Sequence, residues 1–201
     1  MTGMSRFVVG ALAAAGALLS GQTGGNGAPF FIQMTDPQFG MQTSNRDFAF
    51  ETAQFDRAVA DANRLRPRFV IVTGDLVNAP GDAEQVAEYT RILKKLDPAI
   101  RVYSVAGNHD VGNVPTAESL AAYRAQFGAD YYSFREGPLY GIVLDSVLYH
   151  SPQGAPQELK KQQAWLKAEL KKAQTSGAAH MMVFLHHPLF IENAEEPDQY
   201  F

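Results

Sequence analysis

The chain has 201 residues, of which 46% are hydrophobic, a length and composition suited to one domain with its own core. It carries 17 Lys and Arg against 21 Asp and Glu, and the resulting net charge of -4 excludes the broad basic surface that nucleic acid binding requires. The absence of cysteine excludes disulfides and thiolate ligands, so only oxygen and imidazole donors remain for a metal ion.

The first 28 residues have the pattern of a targeting segment. Arg6 precedes an apolar stretch at 7–19, and a polar, Gly-rich segment follows at 20–27, an order typical of a secretory signal peptide. The apolar stretch is shorter than the roughly 20 residues that span a bilayer as a helix. We expect a signal peptide at 1–21, a Gly-rich linker at 22–28 and export to the periplasm or the exterior. The alternatives are a disordered apolar leader and an uncleaved N-terminal anchor, which would be the protein's contact with a membrane.

Short apolar runs then alternate with longer segments of helical periodicity, which indicates an α/β domain. We predict strands at 30–34, 69–73, 101–106, 131–134, 139–144 and 179–185, and helices at 47–66, 86–96, 116–127 and 157–174. The spacing of Val86, Tyr89, Leu93 and Leu96 predicts the apolar face of the second helix. The short connection at 135–138 suits antiparallel neighbours, so we expect a mixed sheet and not a wholly parallel one.

Polar clusters follow four of the predicted strands. They are Thr35-Asp36-Pro37-Gln38, Gly74-Asp75-Leu76-Val77-Asn78, Gly107-Asn108-His109-Asp110 and His186-His187-Pro188. Any one of them could be an ordinary turn, because Gly-Asp and Gly-Asn pairs are common turn formers. Loops at the carboxyl ends of strands converge in open α/β sheets, however, and two carboxylates brought together there repel each other unless a cation joins them. Four clusters in this order therefore predict a metal site.

These clusters resemble the signature blocks of the calcineurin-like metallophosphoesterase superfamily, which includes Ser/Thr protein phosphatases and purple acid phosphatases. The strings at 35–40, 107–113 and 187–190 are most similar to the subgroup of calcineurin-like phosphoesterase domain-containing proteins with Ser/Thr phosphatase activity. The resemblance implies a four-layer αββα sandwich with mixed sheets, spanning residues 29–201.

The resemblance also implies two divalent metal ions, drawn from Mn, Fe, Zn and Mg, and a role for each polar residue. Asp75 would bridge both ions, Asp36 and Gln38 would bind the first, and Asn108 and His186 would bind the second. His109 would be the general acid, a role that imidazole can fill near neutral pH. Asn78 takes the place of the acidic residue that orients this His in protein phosphatases, and its amide could accept a hydrogen bond from the ring. His187 would lie outside the ligands.

The sequence departs from the superfamily pattern in two ways. Gln38 stands where the superfamily usually has His, and an amide oxygen would shift metal preference toward harder ions. The superfamily also closes its site with a Gly-His-x-His block, which the 201 residues do not contain. We therefore expect the domain to be incomplete at its C-terminus, a fragment of a longer reading frame that would be inactive alone.

The functional expectation is metal-dependent hydrolysis of a phosphate ester, with a phosphomonoester or a phosphoprotein as substrate. A phosphodiesterase is an alternative within the same chemistry, because the same metals serve both esters. A non-catalytic binding module that kept the fold but lost turnover is the alternative outside it. Asp145, at the end of a predicted strand, could face the crevice or cap the following turn.

Overall fold

The computed structural model describes residues 30–188 together with Phe190, Asn193 and Glu195, so the predicted signal peptide and linker lie outside the described residues. The elements follow in the order β1 (Ile32–Met34), α1 (Ala49–Leu65), β2 (Phe69–Thr73), α2 (Ala83–Leu93), β3 (Arg101–Val105), α3 (Asn108–Val111), α4 (Ala117–Phe127), β4 (Tyr132–Glu136), β5 (Leu139–Val143), α5 (Val147–His150), α6 (Pro156–Thr175) and β6 (His180–Phe184). A single 3-10 turn at Pro152–Gly154 precedes α6. The short helices α3 and α5 were not predicted, since one turn is too short to show periodicity.

The strands form two sheets of three. The first sheet has the order β1-β2-β3 and is wholly parallel, and the second has the order β4-β5-β6. In the second sheet β4 pairs antiparallel with β5, whereas β6 pairs parallel with it. The predicted hairpin and the predicted mixed sheet are thus confirmed, in the second of two sheets.

The central strand β2 contributes to two cores at once. All five of its residues are buried, and alternate side chains of a strand point to opposite faces. Phe69 and Ile71 pack with residues of the second sheet such as Phe134, whereas Val70 and Val72 belong to the core beneath the helices. A strand covered on both faces needs an unbroken apolar run, and this is the pattern that predicted it.

Helices cover the two outer faces of the sheets. Val59 of α1, Ile92 of α2 and Leu120 of α4 are buried in the core of the first sheet. Ala173 of α6 is buried beside Ile142 of β5, in a separate core on the second sheet. The layers run helix, sheet, sheet, helix, which confirms the predicted four-layer sandwich. Among the described helices, none combines the length and apolar character that crossing a bilayer needs.

The buried face of α2 overlaps the predicted one in part. Of the four predicted positions, Tyr89 and Leu96 are buried and Leu93 packs against the core, whereas Val86 is only half-buried. The helix also buries Gln85 and Ile92, which the spacing did not include. Gln85 is polar, so an apolar pattern could not reveal it, and it finds polar partners inside the fold.

A buried carboxylate joins the two sheets at the end away from the polar loops. Glu136, at the end of β4, accepts hydrogen bonds from Arg68 Nε at 3.0 Å, Arg101 Nη1 at 3.1 Å and Tyr103 Oη at 2.9 Å. All three donors belong to the first sheet or its flanks, and charge-assisted hydrogen bonds of this kind are the strong ones. The contact fixes the second sheet against the first and so fixes the loops at the opposite edge.

Candidate metal centre

Four of the predicted ligands occupy equivalent places in the fold. Asp36, Asp75 and His186 are each the second residue after a strand, namely β1, β2 and β6, and Asn108 opens α3 just after β3. One donor atom from each of Asp36, Asp75 and His186 can be chosen so that all lie within 4.8 Å of one another. The sandwich therefore brings together residues separated by up to 150 positions in the chain.

The backbone of these loops is strained at three of the predicted ligands. Asp36, Gln38 and Asp75 have φ values of 53°, 39° and 52°, in the left-handed region that side-chain-bearing residues seldom adopt. Hydrogen bonds between the two loops hold this conformation, from Asp36 N to Gly74 O at 3.2 Å and from Gln38 N to Asp75 O at 2.9 Å. Strain of this kind persists when surrounding structure fixes it, and it concentrates at functional sites.

Two glycines in the motifs are required by close packing. A Cβ on Gly74 would lie 2.4 Å from His186 Nδ1, and a Cβ on Gly107 would lie 2.2 Å from Asp75 Oδ1. Any side chain at either position would push apart the groups that the site brings together. The glycines before Asp75 and Asn108 are thus steric requirements of the site and not only turn formers.

Asp75 and His186 offer a carboxylate oxygen and a ring nitrogen that lie close together. Burial is the main cause that raises the pKa of Asp75, and the negative charge of Asp36 raises it further. His186 donates from Nδ1 to the Thr73 carbonyl at 2.9 Å, which leaves Nε2 as the lone-pair nitrogen. That Nε2 lies 3.5 Å from Asp75 Oδ1 and 3.2 Å from Asn108 Oδ1. A bound divalent ion would relieve the carboxylate repulsion, so the donor set fits a metal.

Gln38 faces the same site through its amide. It is buried, and its Nε2 donates to Asp75 Oδ2 at 3.4 Å. Binding a metal requires the amide oxygen instead, because the NH2 group has no lone pair to offer. A turn of the amide by half a revolution would exchange the two atoms, so Gln38 can serve either as a ligand or as a hydrogen-bond donor to Asp75.

His109 is fixed to the loop after β2 by two hydrogen bonds. Its backbone N donates to Asp75 Oδ1 at 2.9 Å, and its Nδ1 lies 2.9 Å from the Asn78 carbonyl. A carbonyl can only accept, so Nδ1 carries a proton, and Nε2 is the ring nitrogen that remains available to another partner. The resemblance placed the Asn78 side chain against the ring, but the structure places its backbone carbonyl there. The side chain turns away, and its Nδ2 donates to Asn45 Oδ1 at 2.7 Å.

His187 contacts one of the predicted ligands. Its Nε2 lies 3.2 Å from Asn108 Oδ1, and its backbone N donates to Ser146 Oγ at 2.9 Å. Its ring centroid is 5.6 Å from that of His150, which ends α5. The sequence placed His187 outside the ligands, and the structure adds that its ring contacts the same Asn108 oxygen that His186 contacts.

Asp110 is a further residue that the sequence left without a role. It is buried, and Oδ1 accepts from Leu76 N at 2.8 Å and Val77 N at 3.2 Å, while Oδ2 accepts from Gly107 N at 2.9 Å. These bonds tie the loop after β2 to the loop after β3. Its position in the third polar cluster was the available signal, since a carboxylate beside a turn often binds backbone N–H groups.

Asp145 caps a helix and does not face the crevice. Its Oδ1 accepts from Val147 N at 2.9 Å and from Leu148 N at 3.4 Å, and its Oδ2 is buried without a hydrogen-bond partner. Of the two expectations from sequence, the cap is therefore the one observed. Burial raises the pKa of Asp145 to about 7.

This shift predicts a pH dependence of stability. The folded protein binds the Asp145 proton more tightly than the unfolded chain does, so the protonated carboxyl stabilises the fold. This contribution is complete below pH about 4, where Asp145 is protonated in both states, and it is lost as pH rises through about 7. Asp145→Asn has no proton to lose, so its free energy of unfolding should not show this decline. The variant should therefore gain stability relative to the native chain as pH rises over this interval, by up to about 4 kcal/mol at about 1.4 kcal/mol per pKa unit. Urea unfolding of both proteins at pH 4, 5.5, 7 and 8.5 measures it, and a constant difference would contradict the assignment.

Comparison with known proteins agrees with this geometry. Residues 31–199 match the family described as calcineurin-like phosphoesterase. The chain is 35% identical over 187 residues to the serine/threonine-protein phosphatase CPPED1 of Homo sapiens, covering 86% of this chain and 60% of that protein. It is 34% identical over 191 residues to the Danio rerio protein of the same name, covering 88% of this chain and 62% of that protein.

Among solved structures, a dimetal phosphatase from Danio rerio superposes with a TM-score of 0.55 at 18% identity, over 80% of this chain and 70% of that one. This likeness concerns the fold. The chain spans about 60% of the length of the curated relatives that it matches. With the family match, the identity to these relatives and the converging Asp, Asn and His side chains taken together, the chain belongs to the calcineurin-like phosphoesterase family.

Proposed function

We propose that this protein hydrolyses phosphate esters with two divalent metal ions, held by Asp36, Gln38, Asp75, Asn108 and His186. The observation that carries the proposal is the convergence of Asp36, Asp75 and His186 donor atoms within 4.8 Å at the carboxyl ends of three strands. Relatives named serine/threonine-protein phosphatase, and a structural neighbour named dimetal phosphatase, support a phosphomonoester or a phosphoprotein as substrate.

Each residue has a task in this chemistry. Divalent ions at the site would polarise the phosphoryl oxygens and offset the charge that grows during ester cleavage. Asp75 has one oxygen toward His186 and the other toward Gln38, which supports the proposal that it would hold both ions. His109 keeps Nδ1 bound to the Asn78 carbonyl, so Nε2 can hold a proton and give it to the leaving oxygen. His187 and Asp110 hold the ligand loops in place.

The proposal is tested by phosphate release. The protein expressed from its complete reading frame should hydrolyse p-nitrophenyl phosphate in the presence of manganese, and a chelator should remove the activity until metal is restored. Bis-p-nitrophenyl phosphate, assayed in parallel, separates a diesterase from a monoesterase. A protein that binds manganese but releases no phosphate from either ester would instead be a non-catalytic binding module. Gln38, which stands where the superfamily usually has His, is the residue that motivates this alternative.

We further propose that the protein is exported, as the segment at 1–21 indicates. Export favours a role in phosphate scavenging or envelope turnover over one in intracellular signalling. Mass spectrometry of the protein recovered from its native cells tests this. Loss of residues 1–21 from protein in the extracytoplasmic fraction is expected, and an intact N-terminus in the cytoplasmic fraction would contradict it.

A further inference from the structure

The imidazole of His109 takes its orientation from a backbone group. Its Nδ1 lies 2.9 Å from the carbonyl oxygen of Asn78, in the loop that follows β2. A backbone carbonyl has no rotamer of its own, so it can direct the ring only as well as the loop around Asn78 is fixed. The residues that hold this loop therefore decide where Nε2 of His109 points.

A buried glutamine in α2 holds the loop. Gln85 Oε1 accepts from the backbone N of Asn78 and from that of Ala79, both at 2.9 Å. The residue is only 2% exposed, and an unpaired amide in such a place would be costly. Its own backbone is fixed too, because Gln85 N donates to the capping carboxylate of Asp82 at 3.0 Å. The loop is thus anchored to the start of a helix.

The other end of the Gln85 amide reaches the loop after β1. Gln85 Nε2 donates to Asn45 Oδ1 at 2.9 Å, and Asn78 Nδ2 donates to the same oxygen at 2.7 Å. Asn45 has a φ of 65°, and its backbone N donates to Gly40 O at 2.8 Å. One oxygen therefore joins the loop that carries Asp36 and Gln38 to the loop that supports His109.

We propose that Gln85, together with Asn45, is a positioning residue for His109, acting through the Asn78 carbonyl. The inference rests on the proposed function, in which His109 protonates the leaving oxygen. Neither residue belongs to the ligand set, and neither touches the ring itself. What they determine is the alignment of the imidazole, and with it the efficiency of proton donation.

Two variants break the network at different points. Gln85→Met keeps the side-chain length and removes both polar ends. Asn45→Gly removes the shared acceptor at an exposed position whose positive φ glycine adopts freely, so it preserves the fold even where the first variant would not. Gln162→Met is the matched control, because Gln162 is also fully buried and also holds the backbone of a loop, through Asp145 N at 2.8 Å and Asp145 O at 2.9 Å.

The first measurement needs neither metal nor turnover. Long-range proton-nitrogen NMR of the metal-free protein, expressed from its complete reading frame, reports which ring nitrogen of His109 is protonated. The native protein should show the Nδ1-protonated form, with that proton protected from exchange by the Asn78 carbonyl. Gln85→Met and Asn45→Gly should lose the protection and shift population toward the Nε2-protonated form, while Gln162→Met should not.

The second measurement is the dependence of kcat on the leaving group, with manganese bound. A misaligned acid slows esters whose leaving oxygen needs a proton more than esters that leave unaided. The kcat of Gln85→Met should fall about tenfold or more on phenyl phosphate and less than about threefold on 2,4-dinitrophenyl phosphate. The loss on phenyl phosphate is smaller than the full contribution of a general acid, because the ring is misaligned and not removed. Manganese affinity should fall less than kcat on phenyl phosphate does, since Gln85 hydrogen-bonds Asn78, Ala79 and Asn45 and no predicted ligand side chain.

The outcomes separate this inference from the function on which it rests. Unchanged His109 signals in both variants, or equal losses on both esters, would show that Gln85 only supports the fold and would overturn the positioning role. If the native protein hydrolyses neither ester, the proposed function fails, and the NMR measurement still decides whether Gln85 and Asn45 orient His109.

Discussion

Asp75→Asn is expected to abolish turnover and to lower metal occupancy. Asp75 is the carboxylate around which the site is built, with His186 Nε2 at 3.5 Å from one oxygen and Gln38 Nε2 at 3.4 Å from the other. Asparagine has the same shape and can still accept the bond from His109 N, but it lacks the negative charge that attracts the cations. Loss of residues that merely support ligands weakens metal binding about 10- to 100-fold, so loss of a shared ligand should exceed that.

Calorimetric titration with manganese and the kcat for p-nitrophenyl phosphate measure the two effects in the protein expressed from its complete reading frame. Asp97→Asn is a suitable control, because it makes the same change of charge where the Asp97 carboxylate accepts from Ala99 N, before β3 and outside the site. Asparagine can accept the same hydrogen bond within this turn, so this variant should match the native protein. Native metal affinity in Asp75→Asn would contradict the bridging role.

His109→Ala is expected to behave in the opposite way, with turnover lost and metal kept. The imidazole is bound to the Asn78 carbonyl, and the contact of this residue to Asp75 is made by the backbone N, which alanine retains. Removal of a general acid lowers kcat by about 10² to 10⁴. The same titration and assay measure it, and the loss should be smaller on 2,4-dinitrophenyl phosphate than on phenyl phosphate.

His180→Ala is the control for this variant, since His180 is an exposed residue at the start of β6. It should change neither quantity. If His109→Ala lost metal together with activity, the ring would be a ligand or a structural support, and the assignment of an acid would be wrong. The two variants together thus test separate parts of the same mechanism.

The sequence predicted the strands, the long helices and the position of the site because short stretches of neighbouring residues determine each of them. Apolar runs and helical spacing gave six strands and four long helices close to their observed bounds, and Asp36, Asp75 and His186 stood directly after predicted strands. Parallel strands of one sheet deliver their carboxyl ends to one edge, so local position was enough to predict that Asp36, Asp75 and Asn108 converge. His186 follows a strand of the second sheet and reaches them through the packing of the two sheets. The glycines before Asp75 and Asn108 belonged to the same local signal.

What the sequence did not determine is how polar groups pair across the fold. Gln85 was not among the residues predicted for the apolar face of α2, and the resemblance placed the Asn78 side chain against His109, yet the structure buries the first and uses the backbone carbonyl of the second. Local patterns record the period of a helix, but they do not show which neighbours will satisfy a buried amide. That choice is made only when α2 and the loops after β1 and β2 come together, so tertiary structure alone decided how His109 is held.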